Sequence, residues 1–160
     1  MFRPSQSLAS SEGEITAQGL RPLQFRQERA GGIDLASFDW LGRFVSYAGR
    51  RDPLVEGTQD PLSMYYQLVL LGPTQGVVEM PIATGRKLET YRFEVQGETM
   101  LALAGTERRA IHVRARGGGD TIEIWLAAGE GGTARGMPLK IRFIDRRGDI
   151  YDQVADEESQ

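Results

Sequence analysis

The chain has no cysteine, a single histidine and only two lysines among its 160 residues. Without cysteine there is no disulfide, no thiol nucleophile and no Cys-based zinc site. With His112 alone, a two-histidine metal site cannot form within one chain. No run reaches the ~18 apolar residues of a membrane span. The net charge of −3 provides no global basic field for nucleic acid. The opening MFRPSQSLASSEGE has no apolar core, so it does not read as a signal peptide. The expectation is a cytoplasmic chain, or one shortened at its start.

What is present reads as one domain. The apolar fraction of 40% and charged fraction of 26% are ordinary for a globular protein. A chain this long buries roughly 70% of its unfolded surface. The one clear helix lies in QDPLSMYYQLVLL, 59–71. Asp60 suits the N-cap and Pro61 the first helical position. Ser63 and Gln67, four apart, share one narrow polar face. Gly72-Pro73 ends the run. A helix this apolar is expected to be wrapped by the rest of the fold.

The remaining segments alternate with period two, as antiparallel strands with one dry face do. Before the helix the apolar positions are Ile15 and Ala17, Leu23 and Phe25, Ile33 and Leu35, then Phe44 to Tyr47. After it come Val78 to Ile82, Tyr91 to Val95, Ile111 to Ala115, Ile122 to Leu126 and Leu139 to Phe143. No helix-strand rhythm suggests a parallel sheet. The predicted fold is mainly β: one strongly curved antiparallel sheet, a half-barrel or incomplete barrel, around a single central helix. Residues 1–11 read as a frayed segment, 12–154 as the domain and 155–160 as an acidic tail. GEGGTARG, 129–136, reads as a mobile loop.

Several strings are familiar in this order: GLRPLQFRQER (19–29), SFDW (37–40), GTQDPLSMYYQL (57–68), PIATGRKLETYRFEV (81–95), IEIWLA (122–127) and PLKIRFIDRRGDIYDQV (138–154). Together they resemble the bacterial domain-of-unknown-function family 3108, over about Ser11 to Val154. The resemblance implies a proteobacterial protein of the periplasm or cell envelope and no particular activity. It also implies that this chain is the C-terminal portion of a longer product, or a shortened form of it. Its plan is similar to curved sheets that wrap a helix in periplasmic lipoprotein carriers, a likeness of fold that supplies no function.

Each candidate site has a plainer explanation beside it. Met64, Tyr65 and Tyr66 could line a pocket for an apolar or amphipathic, lipid-like ligand; such clusters also simply fill cores. Trp125 lies opposite the aliphatic face of its strand, as a ligand contact or as a lid over a neighbouring strand. His112, Arg114, Arg116 and Arg142 could form an anion patch for a phosphate or lipid head group. Equally, they suit a solvated face with Glu123 and Glu94 as partners. Asp60 and Ser63 could serve a hydrolase, but a serine nucleophile needs a base, and a helix cap accounts for both. TGRK (84–87) lacks the glycine loop of a P-loop, and neither GGGD nor GEGG precedes a helix, so no cofactor is expected. Three readings follow: a non-catalytic binding protein, a scaffold that pairs through a sheet edge with an upstream segment or partner chain, and, least supported, a hydrolase.

Overall fold

The computed structural model describes residues 8–29, 31–72, 75–129 and 134–154. The acidic tail, residues 1–7 and residues 130–133 of the Gly-rich loop lie outside the described residues; residues 134–136, expected to belong to that loop, are part of a strand. The chain groups into two compact units, Met1–Gln67 with Met80–Thr90, and Leu68–Glu79 with Tyr91–Gln160.

The first unit carries a five-stranded antiparallel meander in chain order. Its strands are β1 (Leu8–Thr16), β2 (Gly19–Arg29), β3 (Gly32–Asp39), β4 (Phe44–Tyr47) and β5 (Arg50–Pro53). β1 starts inside the segment expected to fray, because Leu8 to Ser11 pair with Phe25 to Glu28. Phe25, Ala36, Phe38, Val45 and Tyr47 form the core, with Leu54, Ala83 and the half-buried Trp40 and Leu62 against it. The dry face of β3 is therefore Ala36 and Phe38, and the expected Ile33 and Leu35 are exposed. A strand shifted by one residue swaps every side chain to the other face. In GIDLASFD both phases contain apolar residues, and the pairing of Phe25 with Ala36 selects one of them.

The second sheet has six strands in the order β11-β10-β9-β8-β7-β6. They are β6 (Val77–Ala83), β7 (Leu88–Leu103), β8 (Thr106–Gly117), β9 (Asp120–Ala128), β10 (Ala134–Ile144) and β11 (Ile150–Val154). Here the sequence periodicity is reproduced in rows across the strands. Phe93, Ala115, Ile122 and Phe143 make one row, and Val95, Val113, Ile124 and Ile141 the next.

The single sheet around a helix is thus replaced by two antiparallel sheets, neither closed into a barrel. The cause is connectivity. The chain leaves β5 through residues 54–62 and the helix α1 (Ser63–Leu71), and β6 then neighbours β7 in the other sheet. The helix is not shielded all round either. Tyr66, Leu70 and Leu71 are exposed, while its polar residues Ser63 and Gln67 are buried.

Candidate functional site

The inward turn of Ser63 and Gln67 follows from backbone groups that need partners. Gln67 Oε1 accepts the Leu20 N–H at 2.8 Å. Asp60 Oδ1 accepts the N–H groups of Leu62 (2.8 Å) and Ser63 (2.7 Å), and Ser63 Oγ accepts the Asp60 N–H at 2.9 Å. This is a reciprocal cap, with serine in the place usually taken by glutamate. Ser11 Oγ of β1 donates to Asp60 Oδ2. Burial pushes the Asp60 carboxyl above its ordinary value; the bonds from Ser11, Ser63 and Leu62 oppose that shift without cancelling it.

Upstream, Gln59 Nε2 donates to Leu20 O at 2.9 Å, and the Gln59 backbone bonds Pro81 O and Ala83 N–H. Segment 57–60 is thereby pinned to the β1–β2 hairpin. A bulge between Glu12 and Gly13 lets β1 pass close to β2. A Cβ on Gly13 would lie 2.5 Å from Arg21 O, so only glycine fits there.

These constraints leave a cleft of about 260 Å³ between the hairpin and the first turns of α1. Ile15, Leu20, Pro22 and Tyr66 supply apolar walls; Ser11, Glu14, Arg21 and Ser63 supply polar ones. Ile15 is 82% exposed and Tyr66 46%. Arg21 rests 5.3 Å from the Trp40 ring centroid and pairs with Glu56 at 3.0 Å. Trp40 is itself held by its Nε1–H, which donates to Pro22 O at 2.7 Å.

Of the expected ligand residues, Tyr66 lines this cleft. Met64 and Tyr65 are buried, at 2% and 8% exposure. The hairpin residues were not anticipated. Ser11 falls in the segment expected to fray; the available signal for the bulge is a glycine and a proline inside strands, Gly13 facing Pro22.

Asp60 and Ser63, the pair considered for hydrolysis, are occupied with capping α1. Among the described residues no cluster of His, Cys, Asp and Glu could hold a metal ion.

The four patch residues and Trp125 come together in the second unit. Alternation and register set His112, Arg114 and Arg116 of β8 beside Trp125, Glu123 and Thr121 of β9. Lys140 and Arg142 of β10 follow, opposite Trp125 and Glu123. The Trp125 ring stacks on His112 with centroids 4.8 Å apart, and Lys140 Nζ lies 5.3 Å from its centroid. Glu123 accepts from both Arg114 Nε (2.6 Å) and His112 Nε2. Arg142 forks onto Asp152 at 2.8 and 3.0 Å. That bond holds the Asp152 carboxyl below its ordinary range and raises Arg142. At such exposure the pair is worth a few tenths of a kcal/mol.

Glu123 is the buried hub of the cluster, so Glu123→Ala should cost about 1–2 kcal/mol by stranding two donors that water only partly reaches. Glu123→Gln, which keeps one acceptor, should cost less. Denaturant unfolding reads both, and an alanine variant as stable as the parent would remove Glu123 as the organiser of this face.

The fold and these sites define a mainly β protein with two open antiparallel sheets, one short capped helix and no helix long and apolar enough to cross a membrane among the described residues. The chain belongs to the family described as Protein of unknown function (DUF3108), whose model matches residues 3–152. No curated protein and no solved structure matches it.

Proposed function

We propose that the protein is a non-catalytic binding protein of the bacterial envelope that takes a small amphipathic molecule into the cleft of its first unit. The observation that carries this reading is the composition of that cleft. Apolar Ile15, Leu20, Pro22 and the Tyr66 ring stand beside polar Ser11 and Arg21. Ligand sites pair apolar walls with a few polar groups in this way. The volume, about 260 Å³, suits a small ligand rather than a large lipid. The envelope assignment rests on the family resemblance, and fractionation of cells expressing the full gene product tests it.

Binding is tested with three eight-carbon amphipaths: octanoate, octyl glucoside and octylammonium. At a hundredfold excess over Kd, a ligand specific to the folded state adds about 2.7 kcal/mol to stability. At least one of the three should raise the melting temperature, and Tyr66→Ala with Ile15→Ser should abolish the gain. No shift with any of them would sink this reading. A second reading, a scaffold that pairs through a sheet edge, draws on β11, which ends its sheet and exposes Ile150, Tyr151 and Val154. Self-association without amphipath binding would favour it.

A further inference from the structure

Cations on the outward face of the second sheet fall into two groups. Arg114, Lys140 and Arg142 each have a carboxylate within 4 Å: Glu123 at 2.6 Å, and Asp152 at 3.9 and 2.8 Å. Arg92, Arg108 and Arg116 have no ion pair among the described residues; Arg108 lies apart, opposite Leu101, whereas the other two are neighbours. These two are directly opposite each other, Arg92 on β7 and Arg116 on β8. Side chains paired in this way have Cβ atoms about 4.5–5.5 Å apart, and like charges so placed repel. Glu94, opposite Arg114 one row along, forms no ion pair with either.

Arg116 is followed by Thr121 in the same row on β9, which adds a hydroxyl. At the turn after Arg116, Arg146 Nη2 donates to Gly118 O at 2.7 Å, so a third guanidinium is held at this end of the sheet.

We infer that the Arg92–Arg116 pair is a binding site for a phosphoryl group. Two adjacent guanidinium groups repel until an anion with several oxygens lies between them. A phosphate then accepts charge-assisted bonds from both forks. The site is independent of the amphipath cleft, and its occupant is a phosphorylated small molecule or a phospholipid head group, which share this chemistry.

The test follows the Arg Nε–H signals of the full chain by NMR during titration with inorganic phosphate and with glycerol phosphate. It also measures binding to vesicles of phosphatidylglycerol in phosphatidylcholine against phosphatidylcholine alone. Phosphate should shift Arg92 and Arg116 first. Arg92→Gln and Arg116→Gln should each weaken binding about tenfold, and Arg142→Gln should leave it unchanged. Each of the two glutamine variants should also melt no lower than the parent, because the repulsion is relieved; a purely structural role predicts a lower melting temperature. Binding to soluble phosphates alone identifies a small-molecule ligand, and vesicle binding lost in both variants identifies a lipid head group. Shifts spread evenly over the exposed arginines, or affinities unmoved by either variant, would overturn the inference.

Discussion

Phe25→Ala should destabilise the protein by about 3–5 kcal/mol, the largest effect expected of any single change discussed. Phe25 is fully buried at the centre of the first unit's core. Its cross-strand partner is Ala36, whose small side chain leaves the space that the ring fills. Phe38 and Val45 are themselves held in the sheet by the Phe38–Val45 pairing. They cannot collapse into the void without breaking it, so the cavity persists. Phe25→Leu, which keeps most of the volume, should cost about 1.5 kcal/mol or less. Urea unfolding should show a lower midpoint at unchanged slope. A loss under 1 kcal/mol for the alanine variant would mean that the core is not built around this ring.

The second large effect is expected at Asp60. Asp60→Ala removes the acceptor of the Leu62 and Ser63 N–H groups and of the Ser11 hydroxyl. Loss of the cap together with stranded buried donors should cost about 2–4 kcal/mol. Asp60→Asn keeps the capping oxygen and turns its amide toward Ser11 Oγ, which can accept. It should remain within about 1 kcal/mol of the parent at neutral pH.

The two variants also separate capping from charge. Burial holds the folded Asp60 carboxyl above its ordinary value, so the folded state binds this proton more tightly than the unfolded chain. The resulting stabilisation is complete below the ordinary carboxylate pKa of about 3.9. It is lost as pH rises through the raised value. Asparagine has no such dependence. The stability of the parent relative to Asp60→Asn should therefore grow as pH falls from 7 toward 4, and a difference that stays flat with pH would contradict the buried carboxyl.

The second sheet was the more legible half of the fold. Ile111, Val113 and Ala115 alternate with His112, Arg114 and Arg116, and Ile122, Ile124 and Leu126 share one phase of β9; it is this aliphatic phase that is buried in both strands. The patch of His112, Arg114, Arg116 and Arg142 followed from the same alternation, since residues two apart on a strand share a face. Its carboxylate partners followed only in part. Glu123 was anticipated, but Asp152 of β11 was not. The opposition of Arg92 to Arg116 was illegible because a bulge between Val95 and Gly97 shifts the register along the β7–β8 pair. One inserted residue changes which side chains meet; Gly97, at φ +121°, marks a bulge in the strand but not the residues it brings opposite each other.

The helix shows where the reading of residues one at a time ends. Its start at Asp60-Pro61 and its stop at Gly72, where φ is +57°, follow from local sterics and capping chemistry that neighbouring residues carry themselves. Which side of it faces inward does not. Ser63 and Gln67 turn in because distant amides, above all that of Leu20, need acceptors, and this leaves Tyr66, Leu70 and Leu71 outside. Sequence alone determined the strand-rich class, the helix ends and the dry face of the second sheet, since each depends on contacts within a few residues. The division into two sheets, the buried polar side of α1 and the walls of the cleft were decided by pairing between segments far apart in the chain, and that information exists only once the backbone donors and acceptors have found their partners.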